Sequence, residues 1–143
     1  MKKILMVNGP NLNLLGTREP DIYGNVNLKM ITNQVDNYLT EKGFKLESIQ
    51  SNHEGELIDF IHKNKDAHYM IINPGGFTHS SVALRDAVSG VDLPFIEVHI
   101  SNTLAREDFR HHSYFSELAK GILIGCGVEG YIMAAELIVK RLS

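Results

Sequence analysis

Short apolar runs recur along the chain, and they are too short and too continuous for surface helices. Runs of this kind, rich in Ile, Val and Leu, are typical of parallel strands buried on both faces of a sheet. The pattern predicts strands over these runs: Ile4 to Val7, Leu46 to Ile49, Tyr69 to Ile72, Phe95 to Ile100 and Ile122 to Ile124.

Between the strands, apolar residues recur at helical spacing. We expect the first helix to stop at Gly43. The third helix should follow Thr78 as its N-cap and should be ended by Gly90 and Pro94. The last helix should run from about 128 to 142. The apolar positions of the first three helices are Leu28, Ile31, Val35 and Leu39, then Leu57, Ile58 and Ile61, then Val82, Ala83, Leu84 and Val88. This alternation predicts an α/β fold with a doubly wound five-stranded parallel sheet. Its ligand site should lie beyond the carboxyl ends of the strands, at the topological switch point.

Length and composition narrow the class of protein. A chain of 143 residues fits a single domain, residues 1–143. The formal charge of −3 gives no basic face for nucleic acid, and the apolar run at Ile4 to Val7 is too short for a signal peptide or a membrane span. The only cysteine, Cys126, excludes an internal disulfide and fits a reducing compartment. We therefore expect a cytoplasmic protein.

Two polar segments, 9–27 and 101–116, are too long to be simple connectors. Loops beyond about 12–15 residues in a compact domain are usually functional or disordered. Both segments follow the carboxyl end of a predicted strand, as does the shorter segment 73–81. If the sheet is parallel, these three segments meet at one edge.

The first segment carries Arg18 and Tyr23, five residues apart on a stretch hinged by glycines. Such a stretch can act as a lid that closes over a substrate. A surface arginine and a loop-packing tyrosine are the plainer interpretation, because both residue types are common in loops. The other two segments have to decide between these interpretations.

The second segment, NPGGFTHSS, places Asn73 at a strand end and a run of small and polar residues at a predicted helix start. Free backbone amides at such a start favour an anion. A tight turn capped by Thr78 explains the same residues, and the two interpretations are compatible.

At the same edge, the stretch from Glu97 to Arg110 begins in the predicted fourth strand, ahead of segment 101–116. At its start, IEVHISN alternates along the strand, so that Glu97 and His99 point to one face. A carboxylate beside a histidine fixes its tautomer and stabilises the imidazolium, which suits His99 to general acid–base catalysis. A core histidine satisfied by Glu97 is the alternative.

Three other kinds of chemistry lack the residues that they need. The seven histidines include the pair His111 and His112, but neighbouring histidines diverge and no HExxH motif or cysteine pair accompanies them, so we expect no metal site. Ser80 and Ser81 lack the GxSxG elbow of a serine nucleophile. No lysine lies in the three segments, so a Schiff base has no amine there. We expect a catalyst that uses no cofactor.

Five blocks of sequence together closely resemble type II 3-dehydroquinate dehydratases: NGPNLNLLGTREPDIYG, SNHEGELIDFIH, NPGGFTHSSVALRDA, IEVHISN and AREDFRHHSYFS. The resemblance covers nearly the whole chain. It implies a flavodoxin-like fold, a homo-oligomer that is usually a dodecamer built of trimers, and trans-dehydration of 3-dehydroquinate to 3-dehydroshikimate. The chain departs from the residues most common in the family at Gly76, Phe77, Thr103 and Leu104. None of these differences removes a proposed catalytic group.

The resemblance also implies roles for the catalytic residues. Tyr23 matches the family base, Arg18 matches the arginine that favours its phenolate, and Asn11 matches the residue that helps hold a water against the enolate. His99 would protonate the departing hydroxyl, with Glu97 orienting it.

The remaining matches concern substrate binding. Asn73, Ser101 and the Ile100 and Ser101 amides match the carboxylate site, and Arg110 and His79 match groups that grip the ring hydroxyls. Asp86 is expected to reach the site of a neighbouring subunit. Arg106 and Glu19 match lid and support positions, and their roles stay open.

A flavodoxin-like module that binds flavin or a nucleotide phosphate at the NPGG turn, without turnover, is the main alternative function. The sequence also leaves open whether the enzyme serves aromatic biosynthesis or quinate breakdown, because the chemistry is the same.

Overall fold

The computed structural model describes residues 1–17 and 25–143, and it has the predicted α/β architecture. All strands of the sheet are parallel, in the order β2-β1-β3-β4-β5. The strands are β1 (Lys2–Asn8), β2 (Phe44–Gln50), β3 (Tyr69–Asn73), β4 (Phe95–His99) and β5 (Gly121–Ile124). This is the strand order of flavodoxin-like folds, with the switch point between β1 and β3.

Four helices of eight residues or more cover both faces of the sheet in the described part of the chain: α1 (Leu28–Glu41), α2 (Glu54–Lys63), α3 (Val82–Val91) and α4 (Glu129–Leu142). On one face, α1 and α4 pack on Ile4, Met6 and Ile71. On the other, α2 and α3 pack on Leu5, Met70 and Ile72. Because neighbouring strand residues point to opposite faces, β3 and β4 are buried throughout and read as continuous apolar runs. None of the described helices is long and apolar enough to cross a membrane.

The start of α3 corrects one prediction. Thr78 is not the N-cap; it lies in a 3-10 turn, Gly75–His79, that intervenes between β3 and the helix. The N-cap is Ser81, whose Oγ accepts a hydrogen bond from the Leu84 amide at 2.9 Å. Both residues are good caps, so composition could not choose between them.

The end of α3 falls between Gly90 and Pro94, the two residues predicted to end it. The helix passes through Gly90 and ends at Val91, where Asp92 takes the left-handed conformation with φ of 54°. Gly43 does lie just beyond the end of α1, with φ of 87°, as the pattern indicated.

The loops after β1 and β3 touch through their backbones at the switch point. The Gly9 amide donates to the Asn73 carbonyl at 2.8 Å. A Cβ atom on Gly9 would lie 2.1 Å from the Pro74 carbonyl oxygen, so no side chain fits there. These loops are therefore held at a fixed separation on the edge where a ligand is expected.

Candidate active site

A cavity of about 210 Å³ opens at the carboxyl ends of β1, β3 and β4. It lies at the switch point, where ligand sites of doubly wound sheets are found, and it suits a ligand smaller than a typical drug molecule. It is lined by Pro10, Asn11, Leu12, Leu15, Asn73, Gly75, Gly76, His79, His99, Ile100, Ser101, Thr103, Arg106 and Arg110.

The structure brings together most of the residues that the sequence predicted for the site. The predicted residues on the cavity wall are Asn11, Asn73, His79, His99, Ile100, Ser101 and Arg110, together with Arg106. Glu97 lies directly behind His99. Arg18, Glu19 and Tyr23 lie outside the described residues.

Glu97 and His99 form a hydrogen-bonded pair at the end of β4. The Nε2 atom of His99 lies 2.5 Å from the Glu97 Oε2. A carboxylate can only accept, so the hydrogen of this bond belongs to Nε2. Nδ1 is then the nitrogen of His99 that remains for a ligand in the cavity.

The Glu97 carboxylate is fully buried and is held by two hydroxyls as well as by His99. The Oγ of Ser113 donates to its Oε2 at 2.9 Å, and the Oγ of Ser116 donates to its Oε1 at 2.7 Å. Burial acts to raise the pKa of Glu97, but the hydrogen bonds from His99, Ser116 and Ser113 outweigh it and hold the pKa below the usual 4.5. Glu97 is therefore an anion at neutral pH, despite its burial.

His79 has a neutral partner instead of a carboxylate. Its Nδ1 lies 2.8 Å from the His112 carbonyl oxygen, which only accepts, so Nδ1 carries a hydrogen. Burial lowers the pKa of His79 below its usual 6.5, against the effect of this hydrogen bond, and the nearby charges of His99 and Arg110 lower it further. His79 is thus a neutral imidazole at pH 7, with Nε2 as an acceptor.

Asn73 has its side-chain amide fixed by two partners. Its Oδ1 accepts from the Gly75 amide at 3.1 Å, and its Nδ2 donates to the Tyr131 hydroxyl at 2.9 Å. That hydroxyl in turn donates to the Asn8 Oδ1 at 2.6 Å. One Nδ2 hydrogen remains for a ligand. The Gly75 amide is therefore already occupied by Asn73.

The cavity wall beyond β4 is rich in hydrogen-bond donors. Among the described residues, no acceptor takes a hydrogen bond from the Ile100 or Ser101 amide. The guanidinium of Arg106 donates to the Ser101 Oγ at 3.4 Å, and Arg110 lines the same wall. Free amides beside guanidinium groups favour a carboxylate ligand.

Asp86 and Asn11 complete the predicted set. Asp86 lies on α3, outside the cavity, with its side chain 66% exposed, so it does not serve the cavity of its own chain. Asn11 lies on the rim in a left-handed conformation with φ of 70°, and its amide donates to the Asn52 Oδ1 at 3.0 Å.

Ser113, Ser116 and Tyr131 were missed by the sequence analysis. Tyr131 is on α4, far along the chain from both asparagines, so no local pattern relates it to them. The two serines lie in the segment AREDFRHHSYFS, but nothing in their spacing shows that they fold back on β4.

In the described part of the chain, no group of His, Cys, Asp or Glu side chains is arranged to hold a metal ion.

Comparison with known proteins gives consistent matches over nearly the full length. The family model described as "Dehydroquinase class II" matches residues 2–139. A 3-dehydroquinate dehydratase of Shewanella frigidimarina is 56% identical over 141 residues, which cover 99% of this chain and 95% of that protein. A protein of Neosartorya fischeri named catabolic 3-dehydroquinase 2 is 54% identical, over 99% of this chain and 95% of its own length.

A solved structure gives the same match in three dimensions. The type II dehydroquinase of Butyrivibrio crossotus superimposes with a TM-score of 0.91 at 46% identity, covering 96% of this chain and 97% of its own. These matches do not favour the alternative of a flavin- or phosphate-binding module.

Proposed function

We infer the route of the reaction from the premise that this chain belongs to the class II dehydroquinase family and is an enzyme that dehydrates 3-dehydroquinate. We propose a trans elimination through an enolate, which ends in 3-dehydroshikimate. A base takes the proton alpha to the ketone, and the enolate then expels the beta-hydroxyl, which leaves as water after receiving a proton. The observation that carries this route is the Glu97 and His99 pair, a proton donor backed by a buried carboxylate at the cavity wall.

His99 is the general acid of this route. With Nε2 bound to Glu97, the Nδ1–H of the imidazolium is the hydrogen that can reach the departing hydroxyl. The adjacent anion stabilises the imidazolium, so a proton donor is held in place at the cavity wall. After the transfer, the neutral imidazole must regain a proton before the next turnover.

Tyr23 is the base, and Arg18 favours its ionised form. The support for these two roles is the resemblance of the segment NGPNLNLLGTREPDIYG, since both residues lie outside the described part of the chain. A free phenol with a pKa of about 10 is only about 0.1% ionised at pH 7. A guanidinium within ~4–6 Å typically lowers such a pKa by about 1–3 units. Asn11, on the rim of the cavity, helps hold a water that stabilises the enolate.

In substrate binding, hydrogen-bond donors hold the carboxylate, and one acceptor and one donor hold the ring hydroxyls. The Ile100 and Ser101 amides, the Ser101 hydroxyl and the free Nδ2 hydrogen of Asn73 bind the carboxylate. The neutral His79 accepts a hydrogen bond from a ring hydroxyl through Nε2, and Arg110 donates to another. This division follows from the partners that each group already has.

The working enzyme is a homo-oligomer, a dodecamer built of trimers, in the cytoplasm. The position of Asp86 supports this assembly, because its carboxylate is exposed, lies away from the cavity of its own chain and has Arg85 as a partner at 4.0 Å. The formal charge of −3 argues against a nucleic-acid partner. One relative is named a catabolic enzyme and another is named by its reaction alone, so these names assign no metabolic role to this chain.

The test of the proposed route is turnover of 3-dehydroquinate by the purified protein, followed through the ultraviolet absorbance of the conjugated enone. Tyr23→Phe is expected to abolish turnover while binding of the product stays nearly unchanged, because only the proton-accepting oxygen is lost. Tyr38→Phe, at a half-buried tyrosine of α1 that does not line the cavity, is the matched control and should keep the wild-type kcat. An undiminished kcat in Tyr23→Phe would refute the assignment of the base.

A further inference from the structure

The Glu97 carboxylate is neutralised in an unusual way for a buried charge. It has no lysine or arginine partner among the described residues, and its only ion pair there is with His99. The other donors are the hydroxyls of Ser113 and Ser116, one to each carboxylate oxygen. The other charged or titratable side chains on the cavity wall beside His99 are His79, after β3, and Arg106 and Arg110, in the loop after β4.

The backbone fixes the direction in which Ser113 donates. Its Oγ accepts hydrogen bonds from the Phe115 amide at 3.0 Å and from the Ser116 amide at 3.2 Å. Both lone pairs are then in use, so its single hydrogen has to point to Glu97. The Phe115 ring is fully buried, and it anchors this turn in the core on the α2 and α3 side of the sheet.

Two arrangements of the Glu97 and His99 pair contain the same number of protons. In the ionic arrangement, Glu97 is a carboxylate and His99 an imidazolium, whose Nδ1–H is a strong acid. In the neutral arrangement, the proton on Nε2 has moved to Glu97, and the Nδ1–H of the remaining neutral imidazole is a far weaker acid. Burial favours the neutral arrangement, whereas hydroxyls that donate to the carboxylate favour the ionic one.

We propose that Ser113 and Ser116 are positioning residues for the proton donor, because they hold the pair in its ionic arrangement with Nδ1 of His99 turned to the cavity. The serines touch neither substrate nor reacting atoms and act through Glu97. The lowered pKa of Glu97, to which both hydroxyls contribute, is consistent with this role. The inference rests on the proposed function of His99 as the general acid.

The pH dependence of kcat separates this role from a merely structural one. Loss of a hydroxyl destabilises every state in which Glu97 is charged, including the deprotonated pair. The fraction in the ionic arrangement therefore falls, while the pair as a whole retains its proton to higher pH. Glu97→Gln acts in the opposite direction, since His99 without an anion loses its proton at lower pH.

The experiment compares pH–rate profiles of Ser116→Ala, Ser113→Ala and Glu97→Gln with the wild type. For the serine variants we expect kcat to fall about tenfold at the pH optimum, KM to change less than about threefold, and the basic limb to move up by about one pH unit. For Glu97→Gln we expect the basic limb to move down. Ser116→Thr, which keeps the hydroxyl, should restore both kcat and the limb, and Ser89→Ala, an exposed serine on α3, should match the wild type.

Each other outcome overturns the proposal. An unchanged kcat, a fall without displacement of the limb, or a displacement to lower pH in Ser116→Ala would show that the serines do not set the proton arrangement. Should Ser113→Ala fail to fold, Ser116→Ala decides the matter, because the hydroxyl of Ser116 accepts no backbone hydrogen bond among the described residues. His99→Ala separates the two proposals. If this variant expels the beta-hydroxyl of the substrate at the wild-type rate, the general-acid assignment itself fails, whatever the serine variants do.

Discussion

At the scale of single residues, the two cavity histidines differ because their partners differ. His99 binds an anionic carboxylate, and His79 binds a backbone carbonyl. The first environment favours an imidazolium that can give up a proton, and the second leaves a neutral ring that can accept a hydrogen bond. The sequence predicted both residues for the site, but only the identity of the partner separates their roles.

The lowered pKa of His79 leads to a prediction about acid stability. Because its pKa in the folded protein lies below 6.5, the unfolded chain takes up the proton first as the pH falls. The contribution of the neutral ring to stability is thus fully present above about pH 6.5 and is lost as the pH falls through the lowered value. We expect the free energy of unfolding to decline less between pH 7.5 and 5 in His79→Gln than in the wild type, measured by urea denaturation. An equal decline of the free energy of unfolding in both proteins would show that groups other than His79 cause it.

At the scale of secondary structure elements, α4 ties the switch point together through one side chain. Tyr131 reaches Asn8 at the end of β1 and Asn73 at the end of β3, which are paired residues in neighbouring strands. Its ring is fully buried, and burial raises the pKa of the phenol above its usual 10, so the hydroxyl stays protonated and can donate. A helix behind the sheet therefore sets the orientation of an amide in the cavity.

Removal of the Tyr131 hydroxyl should affect both stability and binding. Tyr131→Phe leaves the buried Asn8 Oδ1 without its donor, and an unsatisfied buried group costs about 1–3 kcal/mol. It also frees the Asn73 amide to turn, so KM should rise several-fold more than kcat falls. Thermal or urea unfolding and steady-state kinetics measure the two effects.

Tyr69→Phe is the matched control for that prediction. The Tyr69 hydroxyl, at the amino end of β3, accepts a hydrogen bond from Arg141 at 2.9 Å and lies away from the cavity. Its loss is expected to lower stability without changing KM. A similar rise of KM in both variants would show that the effect is not specific to Asn73.

The strands and most helix limits were predictable, whereas the local start of α3 and the partners within the site were not. A run such as Tyr69 to Ile72 is apolar because helices cover both of its faces, and that cause is visible in the sequence. The choice between Thr78 and Ser81 as N-cap depends on a 3-10 turn that shifts the helix start by one turn. The contacts of Ser113, Ser116 and Tyr131 with the site arise from tertiary packing, which spacing along the chain does not record.

At the scale of the whole molecule, the position of Asp86 predicts shared sites between subunits. If Asp86 serves a neighbour's cavity, each site combines His99 of one chain with Asp86 of another. His99→Ala then inactivates the site of its own chain, whereas Asp86→Ala inactivates the site of a neighbour. Mixing the two variants under conditions that exchange subunits should restore turnover at some sites, each with an intact His99 and a neighbour's intact Asp86. Assay at substrate concentrations below KM, with the native mass measured in parallel, checks this. Activity no higher than the average of the separate variants would place Asp86 outside the site.

The wall of the cavity contains arginine and histidine but no lysine among the described residues, and residues 18–24 add none. Lys2, Lys45 and Lys120 are exposed at the amino edge of the sheet, opposite the cavity. Coupling to a solid support through these three amines would therefore attach the enzyme by groups that take no part in its chemistry. A preparation immobilised in this way should keep its proton donor and its anion-binding groups chemically intact.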